Sequence, residues 1–204
     1  MKKLVVATKN RGKALEVARM LEGTGWETVS LEDYPDAPEV EETGSTFAEN
    51  AAIKAEAYAR FTGELTLADD SGLEVDALDG APGVMSSRFA DTDAERNAKL
   101  LELLRDVPDG RRTARFRCAI AVAEPGGSVL TCEGSVEGAI ARELRGEHGF
   151  GYDPVFYLPE LGRHMAELSP EEKDAISHRG RALRLAREML RGALGAADAP
   201  AKTH

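Results

Sequence analysis

Ala114-Arg115-Phe116-Arg117-Cys118-Ala119-Ile120-Ala121-Val122, then Pro125-Gly126-Gly127, then Val129-Leu130-Thr131-Cys132, is the stretch on which the fold turns. Apolar residues at alternate positions, separated by Arg115 and Arg117, carry the period of a half-buried strand, and Pro-Gly-Gly sends the chain back on itself. The segment predicts a long antiparallel hairpin. Toward the N-terminus, residues 2–8 with β-branched Val5 and Val6 predict a strand, Asn10-Arg11-Gly12 a loop, and Leu15, Ala18, Met20 and Leu21 a helix up to Gly23. Residues 26–31 predict a second strand. Thr46-Phe47-Ala48-Glu49 has capping-box spacing ahead of Phe47, Ala51, Ala55 and Tyr58 on one helix face, ending at Gly63, and Thr92-Asp93-Ala94-Glu95 repeats that spacing ahead of Leu100, Leu101, Leu103 and Leu104. Beyond the hairpin come a Gly-rich loop at 146–151, a short strand at Val155-Phe156-Tyr157, and a helix start at Ser169-Pro170-Glu171-Glu172. Strands alternating with helices would suit a doubly wound parallel sheet; the hairpin excludes that. The reading is α/β, a mixed central sheet with flanking helices. A single domain is expected over residues 1–192, with a small, polar, disordered tail at 193–204.

The composition of the 204 residues removes several function classes. Lys plus Arg is 26 and Asp plus Glu 36, so the net charge is 26 − 36 = −10, which repels nucleic acid and anionic lipid surfaces. No segment approaches the roughly 18 apolar residues of a membrane helix, and Met1 to Ala7 runs straight into a strand pattern, so a soluble, cytoplasmic protein is expected. Cys118 and Cys132 have neither zinc spacing nor the number needed for a disulfide framework. They read as reduced core thiols on paired strands, where an oxidative crosslink stays open.

Five segments carry chemistry. Ala68-Asp69-Asp70-Ser71-Gly72 follows Leu65-Thr66-Leu67 and precedes the alternating Leu73, Val75 and Ala77. Alone, Asp-Asp-Ser-Gly is turn chemistry, so a strand, an acidic turn and a second strand are expected. Two adjacent carboxylates held ionised call for a cation, a hydrogen-bonding partner or a raised pKa, which are also what a catalyst needs. Thr8-Lys9-Asn10-Arg11-Gly12-Lys13 crowds three basic residues where a strand meets a helix N-terminus, a place suited to phosphate, although no P-loop or Gly-x-Gly-x-x-Gly is present. Glu39, Glu41 and Glu42 lie on an acidic loop. One of these with Asp70 would satisfy Mg²⁺, which takes hard oxygen ligands from one or two carboxylates and substrate phosphates. Phe150, between Gly149 and Gly151, offers a ring on which a base can stack. Lys173, His178 and Arg179 diverge around a straight helix, and converge only if the helix breaks, with Ser177 as the cap of a new one.

These motifs, with Glu41-Glu42-Thr43-Gly44, Glu49-Asn50-Ala51, Gly80-Ala81-Pro82-Gly83, Phe150-Gly151-Tyr152-Asp153-Pro154 and Ser177-His178-Arg179-Gly180, resemble in order and spacing the inosine/xanthosine triphosphate pyrophosphatase family over residues 1–192. The resemblance implies a two-lobed α/β homodimer with the active site between the lobes. It implies Mg²⁺-dependent hydrolysis of ITP, dITP and XTP to the monophosphate and pyrophosphate. Carried over by position, Thr8, Lys9, Asn10, Arg11, Gly12 and Lys13 hold the triphosphate. Glu41, in preference to Glu42, binds metal with Asp70, and Asp70 accepts the proton of the attacking water with Asp69 in support. Ser71, Phe150, Gly151, Tyr152, Asp153, Lys173, His178 and Arg179 contact the nucleotide. His178 and Arg179 are expected to donate to the 6-oxo edge that separates hypoxanthine and xanthine from adenine. Two alternatives stand beside this reading: a septum-formation-type pyrophosphatase acting on other modified nucleotides, and a nucleotide-binding module without turnover.

Overall fold

The structure, a computed structural model, describes residues 2–197. Among these residues the chain runs β1 (Lys2–Val6), α1 (Arg11–Leu21), β2 (Trp26–Ser30), α2 (Phe47–Thr62), β3 (Thr66–Val75), α3 (Asp93–Leu103), β4 (Thr113–Ala123), β5 (Val129–Ile140), β6 (Phe156–Leu158), β7 (Arg163–His164), α4 (Pro170–Ile176) and α5 (His178–Ala197). The strands form one mixed sheet in the order β2-β1-β3-β4-β5-β6-β7, with β1 parallel to β2 and β3 and every later pairing antiparallel. The hairpin forms as expected, with Thr113 opposite Ala139 and Ala123 opposite Val129.

Local signals placed the helix ends. Thr46, Thr92 and Ser169 each accept from the backbone N–H three residues on, while Glu49, Glu95 and Glu172 reach back, and Gly63 closes α2 at φ 72°. The apolar stripe of α2 packs with Val5, Ala68, Ala119 and Ala121 on one face of the sheet. α1 and α5 cover Leu67, Cys118 and Ile120 on the other, and a third cluster around Leu73, Phe116, Phe156 and Met165 fills the far end of the long strands. Cys118 lies opposite Gly134 and Cys132 opposite Ile120; both thiols are free.

The acidic turn does not form. Residues 66–75 are one ten-residue strand, paired throughout with β4, with Asp69 opposite Ile120 and Asp70 opposite Ala119. Cross-strand pairing over this length overrides the local preference of Asp-Asp-Ser-Gly for a turn. Because side chains alternate along a strand, Asp69 and Ser71 share the α1/α5 face and Asp70 the α2 face. At its other end the chain remains helical to Ala197, past the boundary expected at Gly192; residues 198–204 of the expected tail lie outside the described residues.

Candidate active-site cleft

The cleft opens where β1 stops. β1 pairs with β3 only at Val5–Thr66 and Val6–Leu67, so from Ala68 on that edge of β3 has no strand beside it. Its freed backbone groups are met by side chains and a turn: the Asp69 carbonyl accepts from Lys54 Nζ at 2.8 Å, Leu73 N–H donates to Ser86 Oγ at 2.9 Å, and Val75 N–H donates to the Ala81 carbonyl at 3.2 Å. A solvent-open space of about 750 Å³ lies along this edge. Residues from both sheet faces reach it, and it sits at the carboxyl end of a parallel strand, where open α/β sheets bind their ligands. Asn10, Lys13, Asp70, Ser71, Phe150, Gly151, Tyr152, Asp153, Lys173, His178 and Arg179 all line it, drawn from five separate segments.

At the start of α1, Asn10 caps the helix by accepting from Lys13 N–H at 3.0 Å, and Thr8 Oγ1 in turn accepts from Asn10 N–H at 3.1 Å. Of the three basic residues expected here, Lys13 alone reaches the cleft, 2.9 Å from Asp69 Oδ2. Lys9 is exposed, and Arg11 lines a groove between α1 and β2. Gly12 is needed for space: a Cβ there would lie 2.8 Å from Phe150 Cδ1.

Asp69 and Asp70 belong to separate networks. Asp69 Oδ2 accepts from Lys13, from Arg179 Nη2 at 3.2 Å and Nε at 3.3 Å, and from the Ser71 hydroxyl at 3.2 Å. Burial raises its pKa, but Lys13 and then Arg179 more than reverse this and hold the carboxyl well below the carboxylate range. Asp70 accepts from Asn50 Nδ2 at 3.3 Å and from Lys54 Nζ at 3.4 Å. Its pKa is raised, first by burial and further by Glu42 and Asp69, against the opposing pull of Lys54. One carboxyl is locked as an anion. Its neighbour is poised to take a proton.

Of the two loop glutamates, the structure brings Glu42, and not the expected ligand Glu41, into the cleft with Asp70. Glu41 is exposed and away from the cleft, whereas Glu42 lines it, 2.6 Å from Lys54 Nζ and 2.5 Å from Arg88 Nη2. In an extended loop, neighbouring side chains point oppositely, so a shift of one position decides which carboxylate meets β3. Glu42 and Asp70 thus converge on a single cation, the Lys54 ammonium. Two hard carboxylates sharing one cation position are a donor set that suits a divalent ion such as Mg²⁺.

The C-terminal helical region breaks as the spacing required. α4 ends at Ile176, Ser177 is extended, and its hydroxyl accepts from Gly180 N–H at 3.0 Å at the start of α5. A Cβ at Gly180 would overlap the Asp174 carbonyl, so only glycine permits this corner. The break brings Lys173 and Arg179 over the Phe150 ring, 4.7 and 5.5 Å from its centroid. Lys173 binds Asp153 at 2.6 Å and Glu16 at 2.9 Å. Arg179 spends its guanidinium on Glu16, Asp69 and Ser71, so the expected base-edge donor is largely committed to holding other side chains. His178 stacks on Phe116 at 4.7 Å, and its buried Nδ1 has no partner. Burial, with Arg179 and Lys173 adding to it, drives its pKa well below 6.5, so the ring is neutral.

Sequence reasoning missed Glu16, Lys54, Asp93 and Asn97. Glu16 lies one turn after Lys13 on the buried side of α1, and Lys54 one turn after Asn50 beside the apolar stripe of α2; a charge on an otherwise buried helix face was the available signal. Asp93 accepts from Gly151 N–H and Asn97 donates to the Gly151 carbonyl, both at 2.8 Å, so the first turn of α3 grips the loop that carries Phe150.

A model of the Ham1 family matches residues 4–189. A protein of Desulforamulus reducens named dITP/XTP pyrophosphatase is 60% identical over 92% of this chain and 95% of its own length. Among solved structures, a HAM1 protein from Coxiella burnetii is 48% identical and superimposes with a TM-score of 0.85 over 94% of this chain and all of that one. A nucleoside-triphosphatase/dITP/XTP pyrophosphatase from Mycobacterium abscessus, 49% identical, gives 0.73 over 90% of this chain and 98% of its own.

Proposed function

The chain belongs to the Ham1 family, and on that premise we propose that it hydrolyses dITP, XTP and ITP to the nucleoside monophosphate and pyrophosphate in a Mg²⁺-dependent reaction. The observation that carries the reading is the division of labour between Asp69 and Asp70. A low-pKa carboxylate anchors Lys13 and Arg179 beside a raised-pKa carboxylate that shares a cation position with Glu42. A second observation supports a metal. In and directly behind the cleft six cations (Lys13, Lys54, Arg88, Arg96, Lys173, Arg179) face six carboxylates (Glu16, Glu42, Asp69, Asp70, Asp93, Asp153), a balanced set with no surplus charge for a triphosphate on a protein of net charge −10.

Glu42 and Asp70 would hold Mg²⁺, which would supply charge neutralisation at the phosphates and lower the pKa of water. The chain's own part is positioning, which dominates phosphoryl transfer. Backbone N–H groups at the start of α1, with Asn10 and Lys13, receive the phosphates, and Thr8 fixes the cap. Asp70 takes the proton of the attacking water at its carboxylate. Lys54, freed from the two carboxylates, turns to phosphate oxygen. Phe150, fixed from below by Gly12 and gripped through Gly151, offers its ring to the base, and the free Nδ1 of neutral His178 reads the 6-oxo edge. Arg179 and Lys173 are positioning residues for Asp69, Ser71, Asp153 and the ring.

The separation of the apolar core at the two ends of the long strands supports a two-lobed single domain that includes α5 to its end at Ala197. A homodimer in the cytoplasm, without nucleic-acid or membrane partners, completes the reading. No described helix is long and apolar enough to cross a membrane. Incubation with ITP, XTP, GTP, ATP and modified pyrimidine triphosphates in Mg²⁺, scoring pyrophosphate against phosphate, tests it. Pyrophosphate from ITP and XTP in preference to ATP is expected. Preferred turnover of the pyrimidine panel would favour the septum-formation-type enzyme, and no product a binding module.

A further inference from the structure

We infer that a second, separate anion site lies at the far edge of the sheet, in the cavity between the ends of β5, β6 and β7 and the segment that follows α3. Among the described residues three lysine or arginine side chains are buried: Lys173, Arg179 and Arg112. Lys173 and Arg179 each hold two carboxylates. Arg112, 2% exposed, has none within ion-pair distance. Its guanidinium donates only to carbonyls, Ile140 at 2.7 Å, Leu104 at 2.5 Å and Ala141 at 2.9 Å.

A buried charge without a counter-ion is costly. The carbonyls of the α3 C-terminus meet part of that cost through the helix dipole, and hydrogen atoms on both terminal nitrogens are left over, since three of five donors are used. The nearest acid is diverted: Asp109 pairs with Arg142 at 2.6 Å, and Glu143 pairs with Arg145. Arg112, Arg142 and Arg145 line one cavity together with His164 and Tyr157. The lining thus sets three arginines against two carboxylates, Asp109 and Glu143, and burial followed by Arg142 lowers the pKa of Arg112 against the opposing pull of Asp109. His164 donates its Nδ1–H to the Pro154 carbonyl at 2.6 Å, so the ring lines the cavity without supplying a donor to it, and the donors there are the arginines.

The class of ligand follows from the donors. Guanidinium forks match oxyanions; Arg145 is held by an exposed ion pair with Glu143, and Arg142 by Asp109 and by the carbonyls of Arg105 and Val107, so both terminal nitrogens of Arg142 keep one free hydrogen each. The site takes a small oxyanion, supplied as a phosphate or as a carboxylate. It shares no lining residue with the nucleotide cleft.

The test is an amide and arginine Nε–H NMR titration of the full chain with inorganic phosphate, with acetate, and with sodium chloride at matched ionic strength. Saturable shifts at Arg112, Ala141, Arg142 and Arg145 are expected with phosphate, acetate or both, with a midpoint independent of any shifts at residues 10–13. The Arg142→Ala/Arg145→Ala double variant, which alters exposed side chains, should lose about tenfold in affinity at this site while retaining pyrophosphate release from ITP. Shifts confined to residues 10–13, shifts that match the chloride control, or unchanged affinity in the double variant would overturn the assignment.

Discussion

Replacing each of the two adjacent aspartates by asparagine should give opposite profiles, and the structure sets the size of the difference. Asp69→Asn keeps the shape but removes the buried charge that faces Lys13 at 2.9 Å and Arg179 at 3.2 Å. Breaking a buried ion pair costs about 3–5 kcal/mol, and because Arg179 keeps Glu16 the lower end applies, ~3 kcal/mol. For a chain of this size that corresponds to a melting temperature lower by about 6–12 °C. Asp70 is different because its folded pKa is raised. Its charged form is therefore held in the folded state at a cost. The amide removes that cost and still accepts from Asn50. Asp70→Asn should therefore melt within about 4 °C of the parent, roughly 1 kcal/mol, while turnover falls about 10²–10⁴-fold through loss of the proton acceptor. Differential scanning calorimetry in chelator, paired with pyrophosphate release from ITP, reads both. Equal loss of melting temperature in the two variants, or near-normal turnover in Asp70→Asn, would refute the division of roles.

Three further outcomes follow from the geometry. Gly12→Ala should raise KM several-fold with little change in kcat, because its Cβ displaces Phe150; steady-state kinetics with ITP would show an unchanged KM if the ring is not used. Lys54→Ala should tighten Mg²⁺ binding about tenfold, since no ammonium then competes for Glu42 and Asp70, while lowering turnover; weaker Mg²⁺ binding by calorimetry would show that the two do not share a seat. For His178, whose folded pKa lies well below 6.5, the unfolded chain binds a proton below about pH 6.5 and the folded chain does not. Stability should fall with pH there by up to ~1.4 kcal/mol per pH unit, and urea midpoints at pH 7 and 5.5 should differ less in His178→Gln.

Much of the molecule was legible from neighbours in sequence. Capping at Thr46, Thr92 and Ser169, the turn between β4 and β5, and the break at Ser177 are decided within four or five residues, so their reading needs no knowledge of the fold. The residue set of the cleft was legible through motif order, and most of it converges. Three details were not. Glu41 and Glu42 differ only in which way an extended loop turns them. Arg11 faces the α1/β2 groove because the start of α1 presents Lys13 to β3 instead. Glu16 and Lys54 look like ordinary helix charges until their partners arrive from elsewhere.

By itself, then, the sequence determined the capped helix starts, the hairpin and the inventory of chemistry-bearing groups, because each depends on contacts within a few residues. Only the tertiary structure decided that Asp69-Asp70-Ser71-Gly72 is a strand and not a turn, and that its two acids face opposite sides. That outcome rests on hydrogen bonds to β4, about 50 residues away, and on cations from α1, α2 and α5, the last 110 residues from Asp69. Long-range pairing of backbone and charge outweighs a local turn preference of a few tenths to one kcal/mol, and no window of neighbouring residues contains it.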